Sequence, residues 1–407
     1  MKDKGKKRIL FIHHAVGWGG APINMLNIIN SLDKSKYDIE VLLLKDSVVS
    51  EKFIGHNIKV KIARSSFYKK YYKYFTHSEA GHVKWFQVYK LIYLSILWML
   101  SHYYFAEREL KEFNYDIIHL NSSVLTDWLA PAKKMGKVIM HVQEPLRKGN
   151  YDCLFFFFNL QMKKHADIII AISNDNANRI NIPEKTKVIY NYASIPDLPP
   201  NVKTYHSKKV LYLGGAAYIK GFYTLVDSLK YLDEDIIVYF GGNYSTQHTA
   251  GLKGFLKKIL NKVSEKRRKR EKALKTFRGS KHAIEIGLTS NVDKYLDEAC
   301  CLISPFSKPH FSRPIIESHL HRKPVIGSDV QGMDEVVSHN INGIIVPVNN
   351  PLKLAEAINY LCNNPILAQK MGEAGFAKAI KSYSPKNVEE FIKIYESFYK
   401  LVGIESC

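Results

Sequence analysis

The sequence predicts an α/β fold of two parallel-sheet domains, and three observations carry that reading. At 407 residues the chain is long for one hydrophobic core. Its apolar runs are short, rich in Val and Ile, and alternate with segments of helical spacing, as strands covered on both faces do. The alternation pauses once, at the polar, Pro-rich stretch ASIPDLPPNVKTYHSKK, and then restarts; such a stretch reads as a linker.

Taken in order, RILFIHH is the first strand, GWGGAP a turn and INMLNIINSL an amphipathic helix. The basic residues before that strand resemble the start of a signal peptide. The apolar part is too short, however, and runs into glycines without a small-residue cleavage site, so no targeting segment is expected. YDIEVLLLK and NIKVKIA follow as strands, then a long aromatic segment, then YDIIHLN, KVIMHVQE, ADIIIAIS and KVIYNY. After the linker come KVLYLGG, DIIVYFGG, AIEIGL, CCLISPF, KPVIGSD and GIIVPV, and the tail SPKNVEEFIKIYESFYKLV has helical spacing. The expected organisation is a first domain over 1–197, a linker over 198–207, a second domain over 208–384, and a C-terminal helix in 385–407 that packs back on the first domain.

A composition 46% hydrophobic and 24% charged excludes a disordered chain. Five scattered cysteines without a CxxC pair exclude a zinc ribbon or a disulfide framework and fit a reducing cytosol. A formal net charge of +21 calls for a polyanionic neighbour: nucleic acid, an anionic membrane surface or anionic substrates. Thirteen Lys and Arg against two Glu fall between Lys253 and Lys281. There Phe255, Leu256, Ile259, Leu260 and Val263 share one helical face, the pattern of a helix lying on an anionic bilayer. A solvated insertion with a core-facing stripe shares that pattern. Nucleic-acid binding is not expected, since no stacking platform or zinc motif accompanies the charge. Trp85–Phe105 carries one charge, Lys90, and is long enough to span a bilayer. The strands on either side belong to one sheet, so it reads instead as a buried or membrane-touching helix.

In open parallel sheets ligands sit beyond the carboxyl ends of strands. Gly17, Gly19 and Gly20 follow the first strand, where glycines let N–H groups approach a phosphate at a helix N-terminus; a tight turn is the alternative. Pro22 stands where a dinucleotide fingerprint needs its third glycine. Lys220 follows the first strand of the second half and can neutralise a diphosphate as a point charge. The loop SKPHFSR leads into the helical PIIESHLHR, with Glu317 expected in the first helical turn. A carboxylate there either accepts bonds from a ribose diol or favours the positive end of the helix dipole. His319 and His321 are two apart and point differently on a helix, so no metal site is expected.

These segments, LYLGGAAYIKGF, VYFGG, RPIIESHLHRKPVIGSDVQGMDEVV and NGIIVPVNNPLKLAEAI, together with GWGGAP and ADIIIAIS in the first half, resemble the family 4 retaining glycosyltransferases. The resemblance covers nearly the whole chain and is looser between Ser47 and Asn114. It implies a GT-B fold, two Rossmann-like domains facing a central cleft. It further implies a nucleotide-diphosphate-sugar donor, no metal or other cofactor, and a hydroxyl of a lipid-linked glycan or similar acceptor, in surface polysaccharide or lipopolysaccharide synthesis on the cytosolic membrane face. By the same resemblance Glu317 binds the ribose, Lys220 the diphosphate, and Gly19 and Gly20 lie near the phosphates. His141 lies near the transferred sugar, and the backbone of Phe311, Ser312, Arg313 and Pro314 lines the phosphates. Two positions depart from the family pattern: Pro309 stands where a second acid is usual, and Gly215 where an Arg often is. Arg313 is then expected to supply the missing positive charge, and His310 or Arg313 to contact the sugar. A non-catalytic protein of the same fold, acting as a partner or scaffold, is the alternative reading, and a basic nucleic-acid-binding protein a further one.

Overall fold

The computed structural model describes residues 6–14, 16–69, 87–147, 153–196, 202–244, 265–289 and 291–404. The chain forms two compact units, Met1–Ala193 with Pro385–Cys407, and Ser194–Ser384.

The first unit holds a seven-stranded sheet in the order β3-β2-β1-β4-β5-β6-β7. Its strands are β1 (Lys7–His13), β2 (Tyr37–Leu43), β3 (Lys59–Ile62), β4 (Ile117–Leu120), β5 (Lys137–Val142), β6 (Ile168–Ala171) and β7 (Thr186–Val188). Every pairing is parallel, with Ile9 opposite Ile117 and Ile139 opposite Ile168. Successive side chains of β1 enter opposite layers: Leu10 and Ile12 join one core cluster, Ile9 and Phe11 the other. A strand buried on both faces needs apolar residues throughout, which is why these runs do not alternate with polar ones.

The second unit holds a six-stranded parallel sheet in the order β10-β9-β8-β11-β12-β13. These strands are β8 (Lys209–Tyr212), β9 (Ile237–Gly241), β10 (Ala283–Gly287), β11 (Cys301–Ser304), β12 (Val325–Ser328) and β13 (Gly343–Val346). In each sheet the order reverses once, between β1 and β4 and between β8 and β11. Those reversals are the topological switch points where ligands of open α/β sheets bind.

After unit two the chain returns to unit one as the helix Val388–Ile404. Phe391, Ile394, Tyr395 and Phe398, at helical spacing, are buried in the cluster with Ile9 and Phe11. The basic helix Glu265–Arg278 buries Ala273, Leu274 and Phe277 in the core of unit two, with Phe277 stacked 5.0 Å from Tyr244. The stripe Phe255–Val263, on which the bilayer reading of this segment rests, lies outside the described residues. Among the described residues no helix is long and apolar enough to cross a membrane. The helix Val88–Leu100 continues through a π turn, Ser101–Phe105, into Ala106–Leu110.

Candidate functional site

At the switch point of unit two, β8 and β11 each end in a loop, and the two loops are tied together. The buried Tyr212 hydroxyl lies 3.1 Å from the Gly215 carbonyl and 3.2 Å from that of Lys220. Ser307 donates its backbone N–H to the Ile219 carbonyl and its hydroxyl to that of Tyr218, both at 3.0 Å. Gly221 has φ of +77°, and a side chain there would collide with the Pro305 carbonyl. Only glycine lets the turn carrying Lys220 pack this closely on the β11 loop. Gly215 has φ of +58°, and a Cβ there would lie 2.9 Å from the Asn243 nitrogen. This backbone accounts for the missing arginine, since any side chain at that position is strained.

Lys220, Gly214, Ser304, Phe306, Ser312 and Pro314 line one recess. Burial pushes the Lys220 ammonium below its ordinary pKa, and among the described residues no side chain pairs with it. The His310 ring lies tilted against Phe306, 5.0 Å between ring centroids, and burial with the nearby Lys220 lowers its pKa to about 3. It is neutral, so Lys220 is the positive charge there. The helix Arg313–Leu320 starts beside the recess. Its N-cap, Ser312, makes no side-chain capping bond, whereas Ser47, Ser173 and Asn350 each cap the helix they precede.

Glu317 is not in the first turn as the sequence led one to expect. With Ser312 as N-cap and Pro314 as the second helical residue, Glu317 is the fifth. One turn in, its carboxylate accepts a 2.6 Å bond from Arg313 Nε, the i,i+4 partner. A helix-dipole role therefore falls away, and Arg313 is partly committed. Among the described residues its buried Nη1 has no hydrogen-bond partner, so the N–H groups of that nitrogen are left to give. Phe311 meets Tyr383 edge-on at 6.1 Å, and Pro309 sits partly exposed in the loop. His319 is buried beside Gly375, and His321 is held by Asp297 and Asp293 at 2.9 and 3.1 Å.

Gly19, Gly20 and His141 belong to the first unit and are not brought together with Lys220 and Glu317 within one unit. Gly19 and Gly20 are exposed at the start of helix Gly20–Ser31, after β1. Gly19 has φ of −130°, and a Cβ on any of Gly17, Gly19 or Gly20 meets nothing within 4 Å. Neither conformation nor packing within the unit requires glycine there. His141 is wholly buried under Phe391, with its Nδ1 3.1 Å from His119 Nε2, and burial lowers its pKa to about 3. The side chain nearer the strand end is Gln143, which touches the His141 ring, donates to Asn121 Oδ1 at 3.0 Å and accepts from Asn191 Nδ2 at 3.2 Å. Glu144 accepts from the Ser122 hydroxyl at 2.8 Å and the Ser123 N–H at 3.2 Å, while burial raises its pKa. Sequence reasoning passed over Asn121, Gln143 and Glu144. The available signal was their position just past β4 and β5.

The fold compares closely with that of the Anabaena protein HepE, crystallised with UDP and glucose: TM-score 0.70, 18% identity, 96% of this chain and 99% of that one. The fold is GT-B. Within this GT-B chain, residues 198–378 match the family profile described as glycosyl transferases group 1. An uncharacterized glycosyltransferase of Methanocaldococcus jannaschii is 27% identical over 234 residues, 57% of this chain and 60% of that protein. A poly(ribitol-phosphate) alpha-N-acetylglucosaminyltransferase of Staphylococcus aureus is 25% identical over 113 residues, 27% of this chain and 23% of its own. The matched regions thus span less than two thirds of each curated relative. The switch-point recess of unit two lies inside the profile-matched stretch.

Proposed function

We propose that the protein is a retaining glycosyltransferase that takes a hexose from a nucleotide-diphosphate-sugar. The observation that carries this reading is Lys220: a half-buried ammonium that no side chain among the described residues pairs, in a recess shared with the uncapped start of helix Arg313–Leu320. Buried cations are kept where an anion completes them, and a diphosphate fits both the point charge and the free N–H groups. Glu317 takes the ribose hydroxyls as acceptor of two hydrogen bonds, exchanging its Arg313 partner for the nucleotide. Arg313 is then free to turn its guanidinium to the phosphates, along with the backbone of Phe311–Pro314. Gly19 and Gly20 offer N–H groups that a ligand can approach without meeting a side chain. His141 acts through Gln143, as a positioning residue.

In this reading the acceptor hydroxyl attacks on the face that the nucleotide leaves, and a phosphate oxygen takes its proton. The protein supplies alignment and positive charge at the leaving diphosphate, without a metal. The acceptor is a lipid-linked glycan or a similar surface polymer, reached from the cytosolic face of a membrane. The partial likeness to a poly(ribitol-phosphate) glycosyltransferase supports that class.

A thermal-shift screen with UDP-, GDP- and dTDP-sugars tests the proposal, followed by transfer assays. One donor class is expected to raise the melting temperature, and Glu317→Ala to weaken that donor by at least about tenfold, the usual cost of losing a bidentate charged acceptor. If no nucleotide sugar shifts melting and none supports transfer, the enzyme reading is wrong; transfer that Glu317→Ala leaves intact overturns the role given to Glu317.

A further inference from the structure

A helix on a protein surface ordinarily turns charged or polar side chains to water. The helix running from Val88 through the π turn to Leu110 does the reverse. Leu94, Trp98, Ser101 and Ala106 are buried against unit one. Its outer face carries Tyr89, Ile92, Tyr93, Ile96, Met99 and Tyr103, with Tyr89 at 70%, Ile92 at 58% and Tyr103 at 73% exposure. The π turn holds this face in line. His102 turns inward, stacking on Trp98 at 4.5 Å with its Nδ1 3.2 Å from the Asp127 carbonyl, while Tyr103 and Tyr104 stay outside. Such turns recur at working surfaces.

The patch is wider than one helix. Trp98 contacts Phe157 of helix Cys153–His165 at 4.8 Å, and that helix leaves Phe156 and Leu160 exposed. Acids are turned away from it: Glu107 is paired with Lys134, and Glu109 accepts from the Arg64 and Ser65 N–H groups. Cations are not: among the described residues Lys90, Arg108 and Lys164 form no ion pair. Lys90 lies 5.8 Å from the Tyr89 ring centre, and Arg108 Nη1 donates to the Tyr104 hydroxyl at 3.0 Å.

We infer that this face is where the protein lies on an anionic lipid bilayer. The proposal rests on the membrane-surface reading above and places that surface on unit one. Tyrosines have an apolar ring and a polar tip, which suits the headgroup boundary, and unpaired cations at the rim suit anionic lipid. A second copy of the chain is the rival occupant, but it brings the same +21 charge against its own kind. Charge thus favours the bilayer.

The test is co-flotation of the full chain with phosphatidylglycerol-containing vesicles, beside neutral phosphatidylcholine vesicles and light scattering without lipid. Binding to the anionic vesicles is expected, falling by at least about tenfold in an Ile92→Ser, Tyr103→Ser variant and more mildly in Lys90→Gln, Lys164→Gln. Unchanged flotation of the serine variant overturns the inference. So does a dimer in solution that the same substitutions dissolve. Donor-induced melting shifts, read on the same samples, report folding and keep the two proposals separable: loss of flotation with the donor shift intact concerns this face alone.

Discussion

Among the described residues no side chain pairs with Lys220, and burial lowers its pKa, so its charge costs the free protein stability. A Lys220→Met variant keeps the stem and removes the desolvated charge. We expect it to melt a few degrees higher, about 2–4 °C for a unit of this size, yet to lose the donor-induced shift by more than about tenfold. Calorimetry with and without nucleotide sugar reads both signs; a variant that melts lower and still binds the donor contradicts the assignment. The arginine that the sequence resemblance led one to expect at residue 215 is a different case: any side chain there is strained by the backbone. Sequence shows the glycine but neither its positive φ nor the closeness of Asn243, which is distant in sequence.

At the scale of elements, the strands were legible because burial on both faces leaves nothing but apolar residues, as in Ile117–Leu120 and Ile168–Ala171. Helix starts were less so. Ser312 caps without a side-chain bond, so nothing in the letters marks Arg313 as the first helical residue or places Glu317 one turn in. His141 is hidden by Phe391, distant in sequence, which no local pattern reports. Nor does composition separate a buried apolar helix from one with an open face, as Val88–Leu110 shows. The C-terminal helix gives the sharpest forecast. Removing residues 385–407 uncovers Ile9 and Phe11 and deletes Phe391, Ile394, Tyr395 and Phe398 from the core. At roughly 1.5–3 kcal/mol for each large side chain, the loss rivals a domain's whole stability of about 5–15 kcal/mol. A chain ending at Ser384 should therefore keep a folded unit two and lose cooperative folding of unit one, with protease cutting confined to 1–193.

Across the whole molecule, both units keep histidines neutral by burying them. The pKa of His13 is lowered to about 4, and those of His141, His310 and His319 to about 3. The unfolded chain, with histidines near 6.5, binds more protons than the native one below that pH. Stability is then complete above pH about 6.5 and falls as pH drops toward 4, by on the order of 3 kcal/mol for each such histidine. At the alkaline end the buried Lys323, lowered to about 8, adds to the same trend by the same rule. It costs stability while charged, and stability rises from pH about 8 toward the ordinary lysine value. Urea titrations at pH 4.5, 7 and 9.5 should rank the midpoints in that rising order; a midpoint that peaks in acid contradicts it.

The return of the chain to its starting unit also fixes an order of events during synthesis. Ordinarily the half that leaves the ribosome first folds first. Here Phe391 and Tyr395, which close the layer over β1 and cover His119 and His141, are translated after all of unit two. The half made first is finished last. Until that helix is made, a nascent chain carries an unroofed sheet, and a stop codon before Phe391 leaves a complete unit two joined to a unit one that cannot close.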